Sequence, residues 1–122
     1  MSQPRPAEEL KVEALRSASS GTVGRAVTTV RGQALVLDSS GRPQPDAFTN
    51  SEAFLASIAS CGVTLIEKHA QDQGTPLRRM AVTIEGRRHP AEARFREVAM
   101  RFELAGVDQA GAEALVSVYR QR

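Results

Sequence analysis

Hydrophobic and polar positions repeat with two periods along the chain, and the change of period separates strands from helices. The N-terminal third favours strands. Leu10 to Arg16 alternates weakly with a period of two, and a cluster of turn residues follows at 17–21. Residues 22–30 and 33–38 are rich in β-branched and aliphatic side chains, which suit a pleated, half-buried surface. We therefore predict three short strands in an antiparallel meander.

After a loop at 39–49, the pattern changes to that of a long helix over residues 52–69. Apolar side chains recur at i, i+4, i+7 and i+11 and therefore share one face: Phe54, Ile58, Cys61 and Leu65. The residues between them are mostly small, so another backbone can approach closely and the sulfur of Cys61 stays uncrowded. Thr49, Asn50 or Ser51 can cap the helix, and Gly74 with Pro76 ends it.

The C-terminal part returns to strands and then to a second helix. Apolar and polar residues alternate clearly over residues 77–88, and again over residues 93–105. Phe95 is the exception, since it is out of phase with the other apolar residues of its strand, and this predicts a bulge near Arg96-Glu97. The inward positions of the second strand are Val98, Met100, Phe102 and Leu104. Asp108 is placed to cap a helix that runs to the end of the chain. The predicted order is βββ-α-ββ-α, an α+β fold.

Composition narrows the class of protein. At 122 residues, we expect one domain over 9–122 after a flexible arm at 1–8. The net charge is only +2, without a stripe of basic residues, so nucleic acid is not expected as a partner. One cysteine excludes an internal disulfide, and no segment is apolar enough to span a membrane, so we expect a cytoplasmic protein. One cysteine and two histidines without ligand spacing predict no metal site, and no cofactor is expected.

Most free cysteines are simply small buried hydrophobic residues, and Cys61 has that ordinary interpretation. The surrounding stretch, SEAFLASIASCGVTL at 51–65, resembles the central helix of the OsmC/Ohr family. In that family an acidic residue opens the helix and a small residue followed by cysteine comes about two and a half turns later; Glu52 and Cys61 are nine apart. The resemblance implies an intertwined homodimer, with antiparallel sheets outside and the two cysteine helices at its centre. It also implies thiol-dependent reduction of organic hydroperoxides in defence against oxidative stress.

The resemblance further implies a catalytic site. Only a thiolate is a good nucleophile, and a thiol in mid-helix needs a nearby cation to form one. The family supplies an arginine from a loop before the helix, for which Arg42 is the best match and Arg25 the second. Glu52 would hold that arginine, although it could equally serve only the helix dipole. The apolar face of Phe54, Ile58 and Leu65 would bind the organic part of the substrate. We interpret Tyr119 as a residue that packs in the core and not as a catalytic residue.

One departure from the family bears on turnover. The second cysteine of the family would fall at about position 123, and the family's last strand would follow it. We expect either a shortened protein or a sequence that lacks its tail. With Cys61 alone, a sulfenic acid would need an external dithiol as reductant. The alternatives are a non-enzymatic dimer that binds an apolar small molecule, a redox-responsive protein, and a structural dimer.

Overall fold

The structure is a computed structural model that describes residues 9–121, so the arm expected at 1–8 lies outside the described residues. The fold is α+β, and its element order is close to the predicted one. The strands are β1 (Arg16–Ser19), β2 (Arg25–Val30), β3 (Gln33–Asp38), β4 (Phe48–Thr49), β5 (Arg79–Arg87) and β6 (Glu97–Ala105); the helices are α1 (Asn50–Asp72) and α2 (Gln109–Arg120). These elements form two compact units, residues 9–49 and residues 50–121.

The N-terminal unit is a four-stranded sheet in the order β1-β2-β3-β4. The first three strands form the predicted antiparallel meander, and β4 adds a short parallel pair to β3. Arg31 and Gly32 join β2 to β3 with φ values of 51° and 78°. Positive φ at both central residues is the geometry of a type I′ hairpin turn, which matches the twist of the strands. The turn fixes the register and places Arg25 opposite Asp38.

The first strand lies later in the chain than predicted. Residues 10–15 form no strand, and their apolar side chains are exposed, with Leu10 at 77% and Val12 at 82%. Instead β1 occupies Arg16–Ser19, which the sequence had assigned mainly to a turn. Ser17 bonds across the sheet to Thr28, with 2.7 Å between the hydroxyl oxygens. The position of β1 therefore depends on its pairing with polar residues of β2, and the weak alternation of residues 10–16 did not predict it.

The second unit packs two helices against a long hairpin. β5 and β6 pair in register from Arg79 opposite Ala105 to Arg87 opposite Glu97. Along β5 half-buried and exposed residues alternate, as the sequence predicted. The core is built on the side chains of Ile66, Ala70 and Leu115, which are 0–4% exposed. Half-buried hydrophobic residues surround them: Leu77, Met80, Phe102, Leu104, Val107, Val116 and Tyr119.

The predicted bulge near Arg96-Glu97 is absent. Strand β6 begins only at Glu97, and its nine pairs with β5 are uninterrupted. Phe95 is out of phase because it precedes the strand. Its ring lies so close to Gly86 that a Cβ there would be 2.5 Å away. Val98, predicted to point inward, is 41% exposed at this end of the hairpin.

Both helix ends that the sequence marked most clearly are confirmed. Asp108 caps α2, since its carboxylate accepts a hydrogen bond from the amide of Gly111 at 2.8 Å. At the end of α1, Gly74 has φ +67°, and the amide of Thr75 donates to the carbonyl of Ala70 at 2.9 Å. This is the bond pattern of a Schellman motif, which requires the left-handed residue. Neither helix combines the length and the hydropathy needed to cross a membrane.

Candidate functional site

Cys61 lies on the part of α1 that its own unit leaves uncovered. The buried face of α1 carries Gly62, Ile66 and Ala70, which are spaced four residues apart. Cys61 directly precedes this face and is exposed. The other members of the predicted stripe are also incompletely covered: Phe54 is 56% exposed, and Ile58 and Leu65 are half-buried. In the single chain, the thiol is therefore exposed beside an apolar stripe.

Tyr119 of α2 contacts the same turn of α1. Its hydroxyl donates a hydrogen bond to the carbonyl of Ile58 at 3.2 Å, and its ring lies over Gly62 and against Phe102. A Cβ at Gly62 would lie 3.6 Å from the ring, in ordinary van der Waals contact, so the ring packs directly on this turn of α1. Burial raises the pKa of Tyr119, and negative charge on Cys61 raises it further. The phenol is therefore a neutral group beside the cysteine.

A second polar cluster belongs to the N-terminal unit and is centred on Asp38, whose side chain is fully buried. Arg25 donates to both of its carboxylate oxygens, from Nε at 2.9 Å and from Nη2 at 3.0 Å. Arg25 also donates to both oxygens of Asp46, at 3.1 and 2.6 Å. These bonds to Arg25 lower the pKa of both carboxyl groups and raise that of the guanidinium. All three groups are therefore charged at neutral pH.

Arg42 joins this cluster from the loop after β3. Its Nη1 donates to Asp38 Oδ1 at 3.0 Å. The backbone approaches through a turn in which the amide of Arg42 donates to the carbonyl of Ser39 at 2.9 Å. Gly24 provides the room, since a Cβ there would lie 2.9 Å from Arg42 Cδ. The guanidinium of Arg42 is thus held by a buried carboxylate.

The residues expected to form the site are divided between the two units. Arg42, and Arg25 as the second choice, lie in the N-terminal unit, where both bind Asp38. Cys61, Glu52 and the apolar stripe lie on α1 in the second unit. Glu52 lines a cleft of about 480 Å³ at the start of α1, together with Leu55, Phe95 and other residues of the hairpin end. The roles assigned to these residues from the sequence stay predictions.

Sequence reasoning missed Asp38 and Asp46. A signal was available for one of them, because Asp38 and Arg42 are four residues apart and oppositely charged. Outside a helix, however, that spacing does not by itself predict that two side chains meet. The strand register, which places Arg25 opposite Asp38, was the deciding information. Within residues 9–121, His, Cys, Asp and Glu side chains form no group suited to hold a metal ion.

Comparison with known proteins identifies the family. The family model described as OsmC-like protein matches residues 43–122, which include α1 and Cys61. The chain belongs to the OsmC family. A search of curated proteins found no match for this OsmC-family chain.

Solved structures of similar fold agree with that assignment. An OsmC-like protein from Mycoplasma pneumoniae superposes with a TM-score of 0.80 at 14% identity, covering 92% of this chain and 82% of that one. An organic hydroperoxide resistance protein OsmC from Legionella pneumophila gives 0.70 at 26% identity, covering 93% and 85%. OhrB of Bacillus subtilis, also an organic hydroperoxide resistance protein, gives 0.57 at 14% identity, covering 93% and 86%. This chain therefore has the fold of these OsmC-family proteins.

Proposed function

We propose that this OsmC-family protein is a thiol peroxidase that reduces organic hydroperoxides. The observation that carries the proposal is the exposed Cys61 on α1, inside the segment that matches the OsmC family. The Legionella pneumophila neighbour, at 26% identity, is named an organic hydroperoxide resistance protein. A buried structural cysteine would be inert, whereas an exposed one can meet a substrate.

The reaction begins with the thiolate of Cys61. Its sulfur attacks the terminal oxygen of the hydroperoxide, so that an S–O bond forms and the O–O bond breaks. The alkoxide leaves and takes a proton from water to become an alcohol. Cys61 is left as a sulfenic acid, the first step of the cysteine oxidation ladder. An external dithiol then reduces it to the thiol, is itself oxidised to a disulfide, and water is released.

The remaining residues have supporting roles in this proposal. Arg42 stabilises the thiolate by its positive charge, and Glu52 helps to hold the arginine. Phe54, Ile58 and Leu65 bind the organic part of the substrate, because burying its apolar surface is favourable by about 25 cal/mol per Å². This preference selects an alkyl hydroperoxide over hydrogen peroxide. The protein acts as a homodimer, and the reaction takes place in the cytoplasm without a bound cofactor.

The test is consumption of cumene hydroperoxide in the presence of excess dithiothreitol. We expect turnover by the wild type, a much slower reaction with hydrogen peroxide, and only the background rate with Cys61→Ser. Ser57→Ala, which removes a hydroxyl from the exposed side of the same helix, serves as the control and should retain turnover. A wild-type rate equal to that of Cys61→Ser would remove the peroxidase proposal.

A second candidate is a dimer that binds an apolar small molecule without chemistry, or that responds to oxidation. The aromatic pair of Phe54 and Phe95 favours it, since their rings stack with centroids 6.1 Å apart next to the cleft at the start of α1. An aromatic pair beside a cleft is a common feature of apolar binding sites. If Cys61 stays unmodified under excess hydroperoxide, the dimer that binds an apolar small molecule becomes the better candidate, whereas oxidation of Cys61 without turnover favours the redox-responsive protein.

A further inference from the structure

Tyr119 is a half-buried phenol to which the proposed mechanism gives no role. It belongs to α2, and its hydroxyl donates a hydrogen bond to the carbonyl of Ile58 on α1 at 3.2 Å. Both helices lie in the second unit, so this contact is internal to one compact unit. By the α-helical pattern, the carbonyl of Ile58 also accepts from the amide of Gly62. The phenol therefore takes the second lone pair of a carbonyl oxygen that has only two.

Two hydroxyl side chains show what a short polar side chain does on α1. Ser57 donates from its hydroxyl to the carbonyl of Phe54 at 2.7 Å. Thr64 donates in the same way to the carbonyl of Cys61 at 3.3 Å. Each bond runs to the carbonyl three residues earlier, a common local pattern for serine and threonine. Cys61 carries the weaker S–H donor, and the carbonyl three residues before it is that of Ile58.

One carbonyl thus has two candidate donors, the phenol of Tyr119 and the thiol of Cys61. A hydrogen bond that only the neutral form of an acid can make opposes its ionisation, so removing such a bond favours the charged form. We propose that Tyr119 is a positioning residue, which favours the thiolate of Cys61 by occupying the carbonyl of Ile58. This inference rests on the proposed function, because that function makes Cys61 the reacting thiol.

Packing holds the phenol in this place. The ring lies on Gly62, which directly follows Cys61, and a Cβ at Gly62 would be 3.6 Å from the ring carbon that carries the hydroxyl. Phe102 supports the ring from the hairpin, with ring centroids 5.8 Å apart. Burial raises the pKa of Tyr119, and negative charge on Cys61 raises it further. Since even an unshifted phenol ionises at higher pH than a thiol, Tyr119 keeps its proton and its bond while thiolate forms.

The first measurement is the rate of alkylation of Cys61 by iodoacetamide as a function of pH, in the wild type and in Tyr119→Phe. Iodoacetamide reacts with the thiolate, so the midpoint of the profile is the pH at which half of the thiol is ionised. Tyr119→Phe keeps the ring and frees the carbonyl of Ile58, so we expect the midpoint to rise. At pH 7 the variant should react about two- to fourfold more slowly, whereas the two rates should agree at high pH, where both thiols are ionised.

Two control variants separate this role from packing. Phe102→Leu loosens the contact with the ring of Tyr119 but keeps its hydroxyl. Ser57→Ala removes a hydroxyl that donates to a different carbonyl of α1. We expect both controls to keep the wild-type midpoint. A midpoint that rises as far in Phe102→Leu as in Tyr119→Phe would assign the effect to packing and overturn the inference, and so would a wild-type midpoint in Tyr119→Phe.

The S–H stretching vibration tests the proposed bond itself. The sequence contains one cysteine, so the Raman spectrum has one S–H band, which moves to lower frequency when the thiol donates a hydrogen bond. At a pH at which the thiol is protonated, we expect the band of Tyr119→Phe to lie below that of the wild type. The bands of Phe102→Leu and Ser57→Ala should stay in place. Coincident bands in the wild type and Tyr119→Phe would overturn the inference even with a raised midpoint, because the carbonyl of Ile58 would then not be the acceptor that the thiol gains.

These two readouts also distinguish failure of the inference from failure of the proposed function, since neither involves a peroxide. If the wild type consumes no cumene hydroperoxide but both readouts respond to Tyr119→Phe as expected, the peroxidase proposal fails and the role of Tyr119 holds. If the wild type reduces cumene hydroperoxide but neither readout responds, the role of Tyr119 is wrong and the peroxidase proposal holds.

Discussion

The hydroxyl of Tyr119 donates a hydrogen bond to the carbonyl of Ile58, although the two residues are 61 positions apart in the chain. This bond ties α2 to the turn of α1 that carries Cys61. We expect Tyr119→Phe to lower the free energy of unfolding by about 1 kcal/mol, the usual net value of one hydrogen bond. Tyr119→Ala also loses the ring contacts with Phe102 and Gly62 and should cost about 3 kcal/mol.

Urea denaturation measures both changes. Ser57→Ala is a suitable control, because it removes a hydroxyl that donates to another carbonyl of α1 from an exposed position. We expect a smaller change for that variant, since water replaces the lost bond there. A Tyr119→Phe protein as stable as the wild type would mean that the bond to Ile58 contributes nothing to the packing of α2.

Neighbouring residues on α1 should respond very differently to truncation. Ile66 is fully buried against Leu115, whereas Leu65 is only half-buried on the apolar stripe. Ile66→Ala leaves a cavity in the core and should cost about 3–4 kcal/mol. Leu65→Ala should cost about 1 kcal/mol, because less apolar area is removed from water there. Equal losses in chemical denaturation would contradict the assignment of the buried face.

Acid should weaken the N-terminal unit through Asp38. Hydrogen bonds with Arg25 lower the pKa of Asp38 in the folded protein below the unfolded value of about 3.9. A lowered folded pKa means that the stabilisation is complete above the unfolded pKa and is lost as the pH falls through the folded one. We expect the free energy of unfolding to fall below about pH 4, and to fall less steeply in Asp38→Asn. Parallel profiles for the two proteins would assign the acid sensitivity to other groups.

The sequence predicted the parts of the fold that depend on local patterns. The third strand, the end of α1 at Gly74 and the cap at Asp108 each depend on a few neighbouring residues, and all three are found. The first strand was misplaced because its position depends on pairing with β2, which no local pattern of residues 10–16 records. The predicted bulge was wrong because Phe95 precedes β6, and its ring packs against Gly86 of β5.

The same distinction applies to the candidate site. Cys61 could be selected from the sequence, because the stretch around it at 51–65 resembles the central helix of the OsmC/Ohr family. The hydrogen bonds of Asp38 with Arg25 and Arg42 could not be predicted, since they depend on the strand register and on the space left by Gly24. Tyr119 could be assigned to the core, but its bond to Ile58 joins distant parts of the chain and leaves no local signal.

The uncovered stripe on α1 predicts a dimer. Phe54 is 56% exposed, Cys61 is exposed, and the intervening residues are mostly small. A second copy of α1 could cover this surface about a two-fold axis, the commonest symmetry of soluble oligomers. Light scattering at micromolar concentration should give about twice the chain mass of 13.1 kDa. Phe54→Glu should shift the protein towards the monomer, with Val23→Glu, a substitution on the N-terminal unit, as the control.

The last prediction concerns turnover without added reductant. The 122-residue chain contains one cysteine, so oxidised Cys61 has no second thiol in the same chain. Two Cys61 residues of a dimer could form a disulfide only if their Cα atoms came within about 7 Å, which packed helices allow only at close crossings. We therefore expect this chain to consume about one hydroperoxide per molecule and then to stop.

Mass spectrometry during a titration with cumene hydroperoxide measures this stoichiometry. The first equivalent should add one oxygen at Cys61, and excess hydroperoxide should add a second to give the sulfinic acid. Dithiothreitol added after the first equivalent should restore the thiol and allow another turnover, whereas dithiothreitol added after the second should not. A covalent dimer in place of the sulfenic acid would mean that the two Cys61 sulfurs meet. Continued consumption beyond these two equivalents without any reductant would contradict a mechanism in which each turnover oxidises Cys61.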